Sequence, residues 1–120
     1  MRVLVVDDNR DSAETMAMLL ELDGHETVLA HDGKQAVEAA FASRPAMVLL
    51  DIGLPYMNGY EACRAMRDGG LSEVLIVAMT GYGQDEDRRR SAEAGFDAHL
   101  VKPVDISDIR QLIEQRVLKT

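Results

Sequence analysis

The chain has a single cysteine, Cys63, so no disulfide can close within it and no cysteine-rich zinc site can form. This usage fits a reducing compartment. No apolar run approaches the roughly 18 residues of a membrane span. The opening MRVLVVDD meets acid directly after Val6, which leaves too short an apolar stretch for a signal peptide. Together these absences predict a cytoplasmic chain that makes no membrane contact. Positive charge is also scarce: 13 Lys and Arg stand against 21 Asp and Glu, for a formal net charge of -8. Nonspecific binding to nucleic acid or to an anionic membrane is driven by clustered positive charge, so direct nucleic-acid binding is not expected. There is no repeat, linker or low-complexity segment. With 47% hydrophobic and 28% charged residues, the 120 residues read as one globular domain spanning 1–120.

The stretch MVLLDIGLPYMNG, Met47 to Gly59, organises the chain. Four consecutive apolar residues, Met47 to Leu50, read as a strand covered on both faces, the pattern of a parallel sheet. They deliver one carboxylate, Asp51, at the strand end. A lone aspartate there is costly to bury unless a cation or a hydrogen-bond donor answers it. Around this stretch the chain alternates strands and helices. Arg2 to Val6 is a strand, followed by Asn9 as a helix cap and a helix with Ala13, Met16, Ala17 and Leu20 inward. Gly24 closes that helix, Glu26 to Ala30 is the second strand, and Asp32-Gly33 opens a helix with Val37, Ala40 and Phe41 inward. A third helix starts near Asn58, with Glu61 three residues on as a capping box and Ala62, Cys63 and Met66 inward. Val74 to Met79 is the fourth strand, followed by a charged helix with Arg88 to Arg90. Ala98 to Val101 is the fifth strand, and Ile106, Ile109, Ile113 and Val117 give the last helix its stripe. Five such units without a hairpin signal predict an α/β doubly wound parallel sheet with helices on both faces.

Polar residues gather at the ends of four strands: Asp7 and Asp8 after the first, Asp51 after the third, Thr80 after the fourth and Lys102 after the fifth. Ligands of an open doubly wound sheet bind at the strand carboxyl ends, near the reversal of strand order. The predicted order is therefore 2-1-3-4-5, with a crevice between strands one and three. Three carboxylates meeting there repel one another, and a divalent cation answers that repulsion. The ligands on offer are oxygens, which favours magnesium or manganese over zinc. Asp8 and Asp51 are the expected direct ligands, with a backbone carbonyl near Gly53 and waters; Asp7 acts directly or through water. Alone, Asp7-Asp8 would be no more than helix N-terminal charge, worth ~0.3 to 1 kcal/mol. Lys102 and Thr80 add an ammonium and a hydroxyl donor beside the carboxylate, which is what a phosphoryl group needs. The site reads as an aspartate that accepts phosphate.

The motifs VLVVDD, LLDIGLP followed by MNGYE, AMTGYG and LVKP, in this order and spacing, resemble a response-regulator receiver domain of two-component signalling almost end to end. The resemblance implies that Asp51 takes a phosphoryl group from a phosphohistidine on a partner kinase or from a small phosphodonor. It implies Asp7 and Asp8 as the acidic pair for magnesium, Thr80 as the switch hydroxyl and Lys102 as the phosphate-contacting lysine. It further implies that Gly53 and Tyr82, two residues beyond Asp51 and Thr80, tune hydrolysis through water access. The family carries an aromatic residue three positions before the lysine; here His99 stands instead, which replaces the aromatic switch with a titratable side chain. His25, at the start of a strand, reads as away from the site, and His31 lies just past the edge strand. A population shift would carry the signal to a face made by the fourth helix, fifth strand and fifth helix. The first helix, beside Asn9, Arg10 and Ala13, is the expected docking face for a histidine kinase or phosphotransfer domain. The phrasing DDNRDSAETMAMLLELDGHE and EAGFDAHLVKPVD resembles receivers attached to hybrid sensor kinases.

Two rivals follow. A haloacid-dehalogenase-type phosphatase also forms an aspartyl phosphate, but its nucleophile is followed two residues later by a second aspartate, whereas Asp51 is followed by Ile52 and Gly53. A receiver-like adaptor that is never phosphorylated would not need Asp8, Asp51, Thr80 and Lys102 together. Nucleotide binding is weaker still, since the first strand ends in acid rather than a glycine turn.

Overall fold

The computed structural model describes residues 1–54, 57–81, 89 and 92–119, with side chains as far as residue 116. Its strands are β1 (Arg2–Val6), β2 (Glu26–Ala30), β3 (Met47–Asp51), β4 (Leu75–Thr80) and β5 (Ala98–Val101). Its helices are α1 (Arg10–Leu22), α2 (Gly33–Ser43), α3 (Gly59–Asp68) and a C-terminal helix (Ile106–Lys119). The strands form one sheet in the order β2-β1-β3-β4-β5, parallel throughout, as the clustering of polar strand ends predicts. The fourth strand starts one residue later than expected and includes Thr80, because Leu75 N–H pairs with the Ala46 carbonyl at the entry of β3.

Side-chain alternation splits the core in two. Leu4, Val6, Val48, Leu50, Ile76 and Ala78 face α2 and α3, while Val3, Val5, Met47, Leu49, Val77 and Met79 face α1 and the C-terminal helix. Both faces of the three central strands are thus buried, which is why they read as continuous apolar runs. In α2 the fully buried residues are Ala36 and Ala40; Val37 and Phe41 are half-buried and pack over them. The single cysteine, Cys63, is buried, and burial pushes its thiol up to about 11, so it stays protonated at neutral pH.

Polar caps hold the strand-to-helix turns at the sheet's carboxyl edge. Asn9, Asp32 and Asn58 accept hydrogen bonds from the N–H groups of Ser12, Gln35 and Glu61. Gly59 opens α3 so close to β3 that a Cβ would sit 2.6 Å from the Asp51 carbonyl oxygen and 2.7 Å from Ile52 Cα. Its N–H donates to the Ile52 carbonyl at 3.0 Å, and only glycine permits that approach. The helix start is thereby locked to the backbone that carries Asp51.

At the opposite edge, Arg67 in the last turn of α3 gathers several chain segments. Its guanidinium donates to the carbonyls of Gly95, Leu71 and Val74 and to the Asp97 carboxylate at 2.7 Å. Asp97 in turn accepts from Ile76 N–H at 2.9 Å. Nothing in the sequence pattern marked this residue.

Candidate functional site

Asp7 and Asp51 follow the alternation of β1 and β3 onto the α1 side of the sheet, and both are only 6% exposed. Asp8 lies one residue on and is exposed. Carboxylate oxygens of Asp7, Asp8 and Asp51 lie within 4.8 Å of one another. Asp51 Oδ1 accepts from Gly53 N–H at 3.0 Å, and Asp51 Oδ2 accepts from Lys102 Nζ at 2.7 Å. Lys102 Nζ also lies 3.7 Å from Asp7 Oδ2. The structure therefore brings the acidic pair, Asp51 and Lys102 into one pocket, as the strand-end pattern predicts.

The electrostatics of that pocket are unbalanced. Burial pushes the Asp7 carboxyl above its ordinary value, helped by the charges of Asp51 and Asp8, and the Asn9 N–H and Lys102 only partly offset it. Burial alone would lower Lys102; the Asp51 hydrogen bond and the charges of Asp51, Asp7 and Asp8 outweigh it and raise the ammonium pKa. One cation among three carboxylates leaves room for more positive charge. The donor set is all hard oxygen, so it suits magnesium or manganese and not a soft or zinc-type ion.

Thr80 ends β4 and is buried, and its hydroxyl lies 2.9 Å from His99 Nε2. The β4–β5 register sets Ala78 opposite His99, which puts Thr80 and His99 on the same face as near neighbours. The Lys102 N–H donates to the Thr80 carbonyl, so the β5 end and the β4 end are tied through backbone. Gly53 is exposed, and a Cβ there would meet only Asp51 Oδ1, at 3.7 Å. Tyr82, Arg88 and Arg90 lie outside the described residues, as does most of the expected fourth helix.

Ala13 is fully buried, as its place on the inward stripe of α1 predicts, so of the residues named beside the docking face it is Asn9 and Arg10 that are exposed. His31, placed by the sequence only just past the edge strand, has its ring at the pocket: Nδ1 lies 3.0 Å from the Asp7 carbonyl oxygen. The signal lay in the strand order. With β2 beside β1 and Ala30 opposite Val6, the residue after β2 falls opposite Asp7.

A cleft of about 640 Å³ opens beside the pocket, lined among others by Asp7, Met16, Leu19, Met79, Lys102 and Val104. Met18 and Leu22 of α1 are largely exposed. None of the described helices is long and apolar enough to cross a membrane.

Comparison with known proteins gives the same picture. The response regulator MprA of Mycobacterium avium is 34% identical over 109 residues, covering 91% of this chain and 47% of that protein, so the chain spans about half that regulator's length. The magnesium-coordinated receiver domain of the sensor histidine kinase PA1611 from Pseudomonas aeruginosa superposes with a TM-score of 0.87 at 29% identity, over 97% of this chain and 96% of that one. The receiver domain of the response regulator Ssk1, seen with the histidine phosphotransfer protein Ypd1 of Saccharomyces cerevisiae, gives a TM-score of 0.88 at 26% identity, over 94% and 86% of the two chains. The family profile described as response regulator receiver domain matches residues 3–114. A parallel 2-1-3-4-5 sheet with its acidic pocket at the carboxyl edge, matched by that profile over nearly its whole length, belongs to the receiver domain family of two-component signalling.

Proposed function

We propose that Asp51 is the phosphoacceptor of this receiver and that a phosphohistidine on a kinase or phosphotransfer protein is its donor. The observation that carries this reading is the Asp51 carboxylate itself, buried, held by Lys102 Nζ at 2.7 Å and grouped with Asp7 and Asp8. In the transfer, an Asp51 carboxylate oxygen forms a bond to phosphorus while the phosphorus–nitrogen bond of the donor breaks; the electron pair leaves on the imidazole nitrogen, which takes up a proton. Asp7, Asp8, Asp51 and the Gly53 carbonyl would hold a magnesium ion, which when bound offsets negative charge on the phosphoryl oxygens. Lys102 holds the acceptor carboxylate and then contacts the phosphoryl group. Thr80 donates its hydroxyl proton to a phosphoryl oxygen. That hydroxyl lies 2.9 Å from His99 Nε2, so drawing Thr80 toward a phosphoryl oxygen changes the Thr80–His99 contact, and His99 acts in the switch. The output face is the one expected of the fourth helix, fifth strand and fifth helix, of which β5 and the C-terminal helix lie among the described residues. The domain catalyses at most its own phosphorylation and dephosphorylation.

Met18 and Leu22, exposed on α1, the helix that lends Thr15, Met16 and Leu19 to the cleft, suit an apolar partner helix. The reading is tested by intact mass after incubation with magnesium and acetyl phosphate, and in parallel with a phosphohistidine protein. One phosphoryl group should add to the wild type, none with a chelator present and none in Asp51→Asn; an adduct that survives Asp51→Asn overturns the reading. Met18→Ser with Leu22→Ser should slow transfer from the phosphohistidine protein alone.

Gly53 offers a handle on lifetime. A side chain there would project beside Asp51 Oδ1 with space to spare, shielding the phosphoryl group from water. Gly53→Asn is expected to lengthen the aspartyl-phosphate half-life, followed as loss of the adduct mass after the donor is removed. An unchanged half-life would sink this role.

A further inference from the structure

The last backbone rung between β1 and β2 at this edge is Asp7 N–H to the Ala30 carbonyl, at 3.1 Å. Beyond it, the Asp7 carbonyl meets the His31 ring, with Nδ1 at 3.0 Å. A carbonyl only accepts, so Nδ1 carries the proton and donates it. The ring is itself anchored: His31 N–H donates to Gln35 Oε1 at 3.0 Å, and Gln35 N–H is held by the Asp32 cap at 2.7 Å. The start of α2 is in turn packed hard on the loop before α3, where a Cβ at Gly33 would fall 2.1 Å from the Met57 carbonyl oxygen. His31 thus reaches the acidic pair from a fixed base.

The carbonyl it holds belongs to the peptide unit joining Asp7 to Asp8. That unit is planar, so fixing its oxygen fixes the direction in which the chain enters Asp8. Asp7 has other restraints, since its Oδ1 accepts from Asn9 N–H at 3.0 Å and its side chain is buried. Asp8 is exposed and depends on its backbone for direction. We infer that His31 is a positioning residue of the cation pocket, which acts through the Asp7–Asp8 peptide to hold the Asp8 carboxylate in reach of those of Asp7 and Asp51. The inference rests on the reading of that pocket as a magnesium site. Partners that orient metal ligands typically contribute 10–100-fold to metal affinity.

The test is calorimetric magnesium titration of the unphosphorylated protein, with the Asp8 amide resonance followed in parallel. His31→Ala should weaken magnesium binding by about 10–100-fold and blunt the magnesium-induced shift of the Asp8 amide. His31→Asn, whose amide nitrogen can take the place of Nδ1, should restore most of the affinity, and His25→Ala should leave it unchanged. In adduct formation from acetyl phosphate, the half-saturating magnesium concentration should rise with His31→Ala while the rate at saturating magnesium stays within about twofold of wild type. Wild-type magnesium affinity in His31→Ala, or a His31→Asn variant as weak as His31→Ala, overturns the inference while leaving the pocket reading intact. No magnesium binding by the wild type removes both. A role confined to the sheet edge would lower the melting temperature of His31→Ala equally with and without magnesium, and that result also overturns it.

Discussion

Replacing Lys102 by alanine is expected to slow adduct formation from acetyl phosphate by about 10²–10³-fold at saturating magnesium, the loss seen when one preorganised charged donor is removed from a transfer site. Lys102 Nζ lies 2.7 Å from one Asp51 oxygen and 3.7 Å from Asp7, so it reaches the acceptor and the acidic pair from the same position. The backbone bond from Lys102 N–H to the Thr80 carbonyl survives the substitution, so the β5 end stays in place. The apo protein should also lose stability. A lysine whose folded pKa is raised contributes stability fully present below its ordinary value and lost only as pH rises through the raised one. At neutral pH that contribution is in force, and Lys102→Ala forfeits it while the carboxylates are left to repel. Magnesium should recover part of the melting temperature but little of the rate. A Lys102→Ala variant phosphorylated as fast as wild type would remove the ammonium from the mechanism.

Arg67→Ala is expected to destabilise the domain by about 3 kcal/mol, since several part-buried carbonyls lose their charged donor at once. The carbonyls of Leu71, Val74 and Gly95 and the Asp97 carboxylate all lose a charged donor, and Asp97 also accepts from the N–H of Ile76, the second residue of β4. In a domain of this size that corresponds to a fall in melting temperature of roughly 10 °C. Arg67→Lys should recover little, because an ammonium cannot address acceptors spread over two chain segments as the planar guanidinium does. Acetyl phosphate should still label the folded fraction, since Arg67 sits at the edge remote from Asp51. A drop in melting temperature of only a degree or two would contradict this account.

The sequence by itself determined the class of fold, the strand order and the pocket's main residues. Apolar runs such as Met47–Leu50 can be satisfied only with helices on both faces, and polar residues at four strand ends can meet only if the second strand lies at an edge. Asp7, Asp8, Asp51 and Lys102 were legible because each lies at or just past the end of such a run. Tertiary structure alone decided the rest. Arg67 collects carbonyls from loops whose proximity depends on how α3 packs against β4 and the start of β5, and no local pattern encodes that. The partnership of His99 with Thr80 depends on β4–β5 register, and that of His31 with Asp7 on β2 lying beside β1. Periodicity along a chain reports which face of an element is apolar. Which side chain meets which carbonyl across two strands is fixed by register and crossing geometry, which exist only once the sheet has formed.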